Sequence, residues 1–189
     1  MGELRKDDRR IIRTKRALAQ ALSELIVEKG YEAITVQDIT DRANVGRSTF
    51  YAHYESKDEL CLYNINFQQH LVEFKSDAEG FIYGINLQYL FNHLVEYYAI
   101  AKELNGLKIG YDLRNLLTEI IADKIITHNK KYYSKTTEQK RILNYKAQMV
   151  AGGIVRMLFE WTLEGSPVGV DTLIKIAEGN ITSTFSDGE

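Results

Sequence analysis

Between Arg42 and Tyr54 the chain carries no acidic residue, while Arg47, Ser48, Thr49, Tyr51 and His53 place hydrogen-bond donors close together. Such a set suits a polyanion. Contacts to phosphate fix register, and Arg, Ser or Thr can reach base edges in a groove, so one short segment could position a protein and read sequence. A plain helical corner whose polar residues are merely solvated would show the same pattern. Enzymatic chemistry is poorly supplied: His53, His70, His93 and His128 are widely spaced, with no evident triad or metal-ligand partners. No glycine loop cradles a phosphate, and neither a catalytic residue, a metal nor a cofactor is expected. Asn180-Ile181-Thr182 is formally a glycosylation signal.

Helices must position these residues. The chain holds one proline, Pro167, in 189 residues, and so few breakers predict long uninterrupted helices. Leu18, Leu22, Leu25 and Ile26 recur at helical spacing and end at Lys29-Gly30, which predicts an amphipathic helix over residues 8–29. Ile11 falls on its apolar side, with Arg9, Arg13 and Arg16 opposite. Thr35-Val36-Gln37-Asp38 is a capping box that opens a short second helix ending near Ala43-Asn44. A third short helix follows from Arg47 to about Tyr54, and Ser56-Lys57-Asp58-Glu59 opens a fourth running to about Asp77. Two short helices joined by Asn44-Val45-Gly46 and packed on a longer one are the plan of a helix-turn-helix unit, which sends its second short helix into the major groove.

Farther on, Gly80 and Gly84 predict a break, and Leu87 to Leu104 reads as one helix. Asn105 to Gly110 reads as a loop, and Leu113 to Ile125 as a helix ended by the polar stretch from Asn129. From about Glu138 to Glu164 the helix has two apolar stripes: Leu143, Ala147, Val150, Ile154, Leu158 and Trp161 on one side, Ile142, Tyr145, Met149 and Gly152 on another. A helix apolar on two sides needs two partners. A last helix covers Val170 to Thr184, and no segment reads as a strand.

Formal charge gives no hint of a nucleic acid: 24 Lys+Arg stand against 26 Asp+Glu, a net −2, whereas basic nucleic-acid-binding domains usually have a pI above about 9. The excess is local, with seven basic and three acidic groups in residues 1–16. Arg5, Lys6, Arg9 and Arg13 could form an arm reaching phosphates or the minor groove, or else a solvated helix face with a frayed end. No apolar run approaches the roughly 20 residues that span a bilayer. No membrane partner is therefore expected, and the single Cys61 permits no internal disulfide, which fits a reducing cytoplasm.

The run from Thr35 through Ala43-Asn44-Val45-Gly46-Arg47-Ser48-Thr49-Phe50-Tyr51-Ala52-His53-Tyr54 to Ser56-Lys57 and Glu59-Leu60 closely resembles the DNA-binding domain of the TetR family of bacterial transcriptional regulators. The resemblance implies that Arg47, Ser48 and Thr49 face bases, that Thr35, Tyr51, His53 and Lys57 touch phosphates, and that Phe50 packs inside. Two departures stand out. Gly46 replaces the usual Ser, losing a side-chain cap, and Ser48 occupies a place often held by Gly, so that a hydroxyl would enter the groove and an altered base preference is expected.

In this family the C-terminal helices generally form a ligand cavity and a dimer interface. Most aromatics lie beyond residue 61, and Phe67, Phe74, Phe91, Tyr98 and Tyr111 are candidates to line a pocket or ordinary core residues. The segment from Val150 to Arg156, with Trp161 and Gly165-Ser166-Pro167, resembles a low-GC Gram-positive branch of the family. Gly152 and Gly153 would allow close helix approach, so Met149, Gly152, Gly153 and Arg156 are expected at a symmetric dimer interface.

The expected architecture is all-α, with about eight to nine helices. It comprises a helix-turn-helix DNA-binding domain over residues 1–62 and a helical effector-binding and dimerisation domain over 63–189. The expected function is a homodimeric repressor that responds to an unknown small-molecule effector and binds a pseudo-palindromic double-stranded operator. The alternative is a co-activator of the same family that works through another regulator. A degenerate reader would be expected to lose Arg47, Ser48, Tyr51, His53 and Lys57, and all are present.

Overall fold

A computed structural model describes residues 6–64, 81–82, 84–133 and 135–186. Helix α1 (Lys6–Lys29) begins two residues before its expected start and ends at Gly30, whose φ of +75° and bond from its amide to the Ile26 carbonyl close the C-terminus. Leu18, Leu22, Leu25 and Ile26 bury its apolar face. Ile11 departs from expectation: it is 42% exposed.

Helix α2 (Val36–Arg42) starts with the capping box the sequence announces: Thr35 Oγ1 accepts the Asp38 amide, and Asp38 reaches back to the Thr35 amide. The turn to α3 (Arg47–Tyr51) is made by Asn44 at φ +52°, not by Gly46, whose φ of −75° is ordinary. Asn is among the few side chains that enter this region readily. Helix α4 (Lys57–Asn64) follows, and its expected continuation to Asp77 lies outside the described residues.

Expectation and structure part at three places. A two-residue antiparallel hairpin, β1 (Phe81–Ile82) and β2 (Ile85–Asn86), occupies the predicted break where no strand was expected. Gly84, at φ +84°, turns it tightly over the next-but-two helix. The predicted helix from Leu87 to Leu104 is two, α5 (Leu87–Glu96) and α6 (Tyr98–Leu104), separated at Tyr97. Helix α5 packs on the last two helices and α6 packs on α1, so the break redirects the chain between partners. Finally, α7 (Lys108–Asn129) begins inside the expected loop. Gly106 at φ +83° makes that turn, while Gly110 is helical.

Helix α8 (Thr137–Leu163) opens on a second capping box, from Thr136 and Gln139, one residue before its expected start at Glu138. A turn through Gly165 and Ser166, both at positive φ, leads to α9 (Val170–Phe185). Trp161 pins that turn by donating its indole N–H to the Val168 carbonyl at 2.8 Å. One stripe of α8, from Leu143 to Trp161, is buried against α7 and its neighbours. On the other, Ile142, Tyr145 and Met149 are exposed, and nothing lies within 4 Å of a Cβ built on Gly152 or Gly153. The described residues are thus nearly all helical, and no described helix is long and apolar enough to cross a membrane.

Candidate nucleic-acid interface

Helix α3 is held from behind. Phe50 is fully buried, with Tyr51 against its ring edge at 5.4 Å and Tyr54 at 5.9 Å. That anchorage turns Arg47, Ser48 and Tyr51 outward, all exposed, with Thr49 half-buried between them. The Arg47 guanidinium lies 6.0 Å from the Tyr51 ring, a weak cation–π contact that leaves its donors pointing to solvent. Gly46 offers no side-chain cap, as its lack of a hydroxyl requires. His53 is half-buried at the end of the unit, its ring 6.4 Å from Tyr54.

Three acids of the unit, Glu24, Glu28 and Asp38, are bound to its own cations. Arg42 makes paired hydrogen bonds to Glu28, at 2.8 and 2.6 Å, and a third to Glu24. Lys29 pairs with Asp38 at 2.9 Å. The hydrogen bond from Arg42 holds the Glu28 carboxyl below its ordinary range, and those from Thr35 and Lys29 do the same for Asp38. These contacts clasp α2 to α1 and point carboxylates away from α3. Arg42, the first residue of the acid-free stretch, is therefore engaged within the unit. The clasp was readable in outline: Glu24 and Glu28 share one face of α1, and Arg42 is the only cation of α2.

The remaining expected contacts are placed unevenly. Thr35 is exposed, but its hydroxyl serves the α2 cap and also donates to Asp38 Oδ2 at 2.6 Å. Arg9 and Arg13 are exposed on α1, while Arg5 lies outside the described residues. Lys57 faces inward. Its ammonium donates to the Tyr31 and Ile34 carbonyls at 2.8 Å each, reaches the Glu32 carbonyl at 3.4 Å, and sits 4.5 Å from the Tyr31 ring centroid. Nothing in the spacing of Tyr31 and Lys57, far apart in sequence, signalled that contact.

Of the candidate pocket residues, Phe67 and Phe74 lie outside the described residues. Phe91 is fully buried and packs edge-on to Trp161 at 6.0 Å, Tyr98 is half-buried, and Tyr111 is 60% exposed beneath the Arg114 guanidinium. The three described candidates thus have three different environments. Met149, Gly153 and Arg156 are exposed on one side of α8 with Gly152 half-buried among them, and Arg156 pairs with Glu160. No group of three or more His, Cys, Asp or Glu among the described residues could hold a metal ion.

Comparison with known proteins adds independent observations. Residues 14–63 match the tetR family of bacterial regulatory proteins. The chain is 46% identical over 63 residues to the HTH-type transcriptional regulator YxbF of Bacillus subtilis (strain 168), a stretch covering 31% of this chain and 17% of that protein. The chain therefore matches under a fifth of that relative's length. It is 25% identical over 143 residues to the HTH-type dhaKLM operon transcriptional activator DhaS of Lactococcus lactis subsp. lactis (strain IL1403), covering 72% of this chain and 75% of the other. A TetR transcriptional regulator from Streptococcus agalactiae 2603V has a similar fold, with a TM-score of 0.58 at 26% identity over 93% of this chain and 97% of that one.

Proposed function

Because residues 14–63 match the bacterial tetR family of regulatory proteins, we propose that this chain is a member of that family and a ligand-responsive DNA-binding transcriptional regulator, acting as a homodimeric repressor on a pseudo-palindromic operator. One observation carries the reading: α3 is acid-free and solvent-facing, while the nearby carboxylates of Glu24, Glu28, Asp38 and Asp58 are tied to Arg42, Lys29 and Tyr31. Arg47, Ser48 and Thr49 read base edges from α3. Tyr51 and His53 contact phosphates beside them, Thr35 lies at the same edge, and Arg9 and Arg13 with Arg5 add charge along the start of α1.

The second apolar stripe of α8 supports the dimer. Ile142, Tyr145 and Met149 are exposed beside Gly152 and Gly153, and Ile176 on α9 is 55% exposed. A second copy packed there, with Arg156 at the rim, gives a two-fold four-helix interface. Gly152→Leu is then expected to yield monomer in sedimentation, and an unchanged dimer would remove the interface from α8. The paired α3 helices must sit about 34–36 Å apart to enter successive major-groove faces. An effector bound among the C-terminal helices would release DNA by changing that separation.

The likeness to DhaS, named an activator, favours a second reading: the chain activates, through its own operator or as a co-activator on another regulator. Both readings meet one experiment, selection of binding sites from fragmented genomic DNA with purified protein, repeated with Arg47→Ala. Enrichment lost in the variant, at about 1–3 kcal/mol for the base contact, supports direct reading. No enrichment at low salt would overturn it and leave the co-activator.

A further inference from the structure

Lys57, Tyr31 and Asp58 join the two ends of the DNA-binding unit, and from them we propose that Lys57 is a positioning residue, part of an internal latch that fixes α4 against the corner between α1 and α2, and not a ligand for phosphate. The inference rests on the DNA-binding reading above but departs from it at this residue. An ammonium has three donors, and here three backbone carbonyls surround it, from Tyr31, Glu32 and Ile34. A phosphate would have to displace one of them. The Tyr31 ring closes another side at 4.5 Å, so the charge is already compensated by carbonyl dipoles, a π face and the C-terminal end of α1.

The surroundings also oppose an anion. Glu55 precedes α4, and Asp58 and Glu59 fill its first turn. Ser56 already caps the Glu59 amide at 3.1 Å, and Glu59 reaches back to the Glu55 amide. Asp58 supplies the second half of the latch: its Oδ1 accepts the Tyr31 hydroxyl at 2.5 Å. Burial, and then this bond, raise the Tyr31 hydroxyl well above its ordinary pKa, so it stays a donor at any working pH. One tyrosine is therefore held through its carbonyl and ring by Lys57 and through its hydroxyl by Asp58.

The place of the latch gives it a consequence. Helix α1 packs on α6 just before this corner, and α4 packs on α7 just after it. A displacement of α6 or α7 reaches the DNA-binding unit through the corner that Tyr31 closes. With the latch shut, α4 and α1 move as one body, and the orientation of α3 follows.

Operator affinity is measured across a salt series for Lys57→Met, Lys57→Arg and Tyr31→Phe, at temperatures where far-UV circular dichroism is that of the parent. Lys57→Met is expected to weaken binding about tenfold, as for a lost charged hydrogen bond, with the slope of log affinity against log salt unchanged. Lys57→Arg is expected not to restore affinity, since a planar fork does not fit three fanned carbonyls. Tyr31→Phe, which changes no charge, is expected to weaken binding in the same direction. A slope smaller by about 0.9 in Lys57→Met, or full affinity in Lys57→Arg, would overturn the latch and restore the phosphate contact. Amide exchange in the DNA-free protein decides independently: Lys57→Met should speed exchange across residues 57–64, and unchanged rates there would also overturn the latch. If the parent binds no DNA at any salt, the regulatory reading fails while the exchange result still stands.

Discussion

Gly110 presents a conflict of sign that one substitution resolves. In a helix interior, Gly→Ala ordinarily stabilises by about 0.5–1 kcal/mol, because alanine loses less backbone entropy on folding. At Gly110 a Cβ would lie 2.2 Å from the Leu104 carbonyl oxygen, well inside the 3.0 Å that real Cβ contacts respect. The obstacle is backbone, not the end of a flexible side chain, and it must retreat by roughly 0.8 Å. That carbonyl also accepts the Leu107 amide at 3.1 Å in the turn between α6 and α7, so retreat strains the turn. Overpacking of this kind costs about 1–3 kcal/mol or more, and it outweighs the propensity gain. Gly110→Ala is expected to destabilise by roughly 1–2 kcal/mol, a fall in Tm of several degrees for a chain of this size. Gly179→Ala is the control: it is helical with open space around a Cβ, and it should stabilise by about 0.5–1 kcal/mol. The assay is urea unfolding at one fixed protein concentration, since association would shift apparent stability. If Gly110→Ala shifts the midpoint in the same direction as the control, the close approach of α6 to α7 is refuted.

Gly46→Ser should restore the missing cap of α3 and raise stability by a few tenths of a kcal/mol, because φ is ordinary and the nearest atom to its Cβ, Ser48 Oγ, is 3.7 Å away; a fall in Tm would count against free space there. Asp38 is held below its ordinary pKa by Thr35 and Lys29, so it favours the folded state above about pH 4 and loses that contribution as pH falls below it. Asp38→Asn should accordingly flatten the acid limb of a stability–pH curve, and an unchanged limb would contradict the clasp. Burial pushes the Cys61 thiol up to about 12; its contribution to stability is complete below the unfolded pKa of about 8.5 and is lost as pH rises toward 12. Iodoacetamide at pH 8 should label Cys61 only as fast as the chain opens, and rapid stoichiometric labelling of native protein would contradict its burial.

The sequence disclosed elements whose punctuation is local. Thr35 with Asp38, Ser56 with Glu59, and Lys29-Gly30 each satisfy backbone groups at one helix end, and their spacing alone predicts the bond. It failed where tertiary contact chose the outcome. Tyr97 divides α5 from α6 with no glycine or proline to mark it, because both lie on α8 but α5 turns to α9 and α6 to α1. Gly110 has the composition of a loop residue yet is helical, because what matters there is the absent Cβ and not the flexible backbone. The outward face of α3 was legible because an acid-free run is visible in one dimension. The inward turn of Lys57 was not, because its three acceptors are carbonyls, which every residue possesses and no sequence pattern reveals.

That difference also settles how a chain of net charge −2 can present a surface fit for a polyanion. The acids near the candidate interface are not spread evenly among its cations. Glu24 and Glu28 draw in Arg42, Asp38 draws in Lys29, and Asp58 holds the Tyr31 hydroxyl. Each of these contacts lies on the α1, α2 or α4 side of the unit, and none lies on α3. Arg42, Lys29 and Lys57, which a count of charges would assign to DNA, are thereby withdrawn from it. Among the described residues, Arg47 on α3 and the exposed Arg9, Arg10, Arg13 and Arg16 of α1 remain for phosphate neutralisation. Each phosphate neutralised contributes about 0.9 to the salt slope, so the operator complex is expected to draw its salt dependence from these arginines, with discrimination resting on the contacts of Arg47, Ser48 and Thr49. A slope steeper than about 0.9 for each such arginine of the two bound protomers would mean that the internal pairs open on DNA and that the clasp of α1 to α2 does not survive binding.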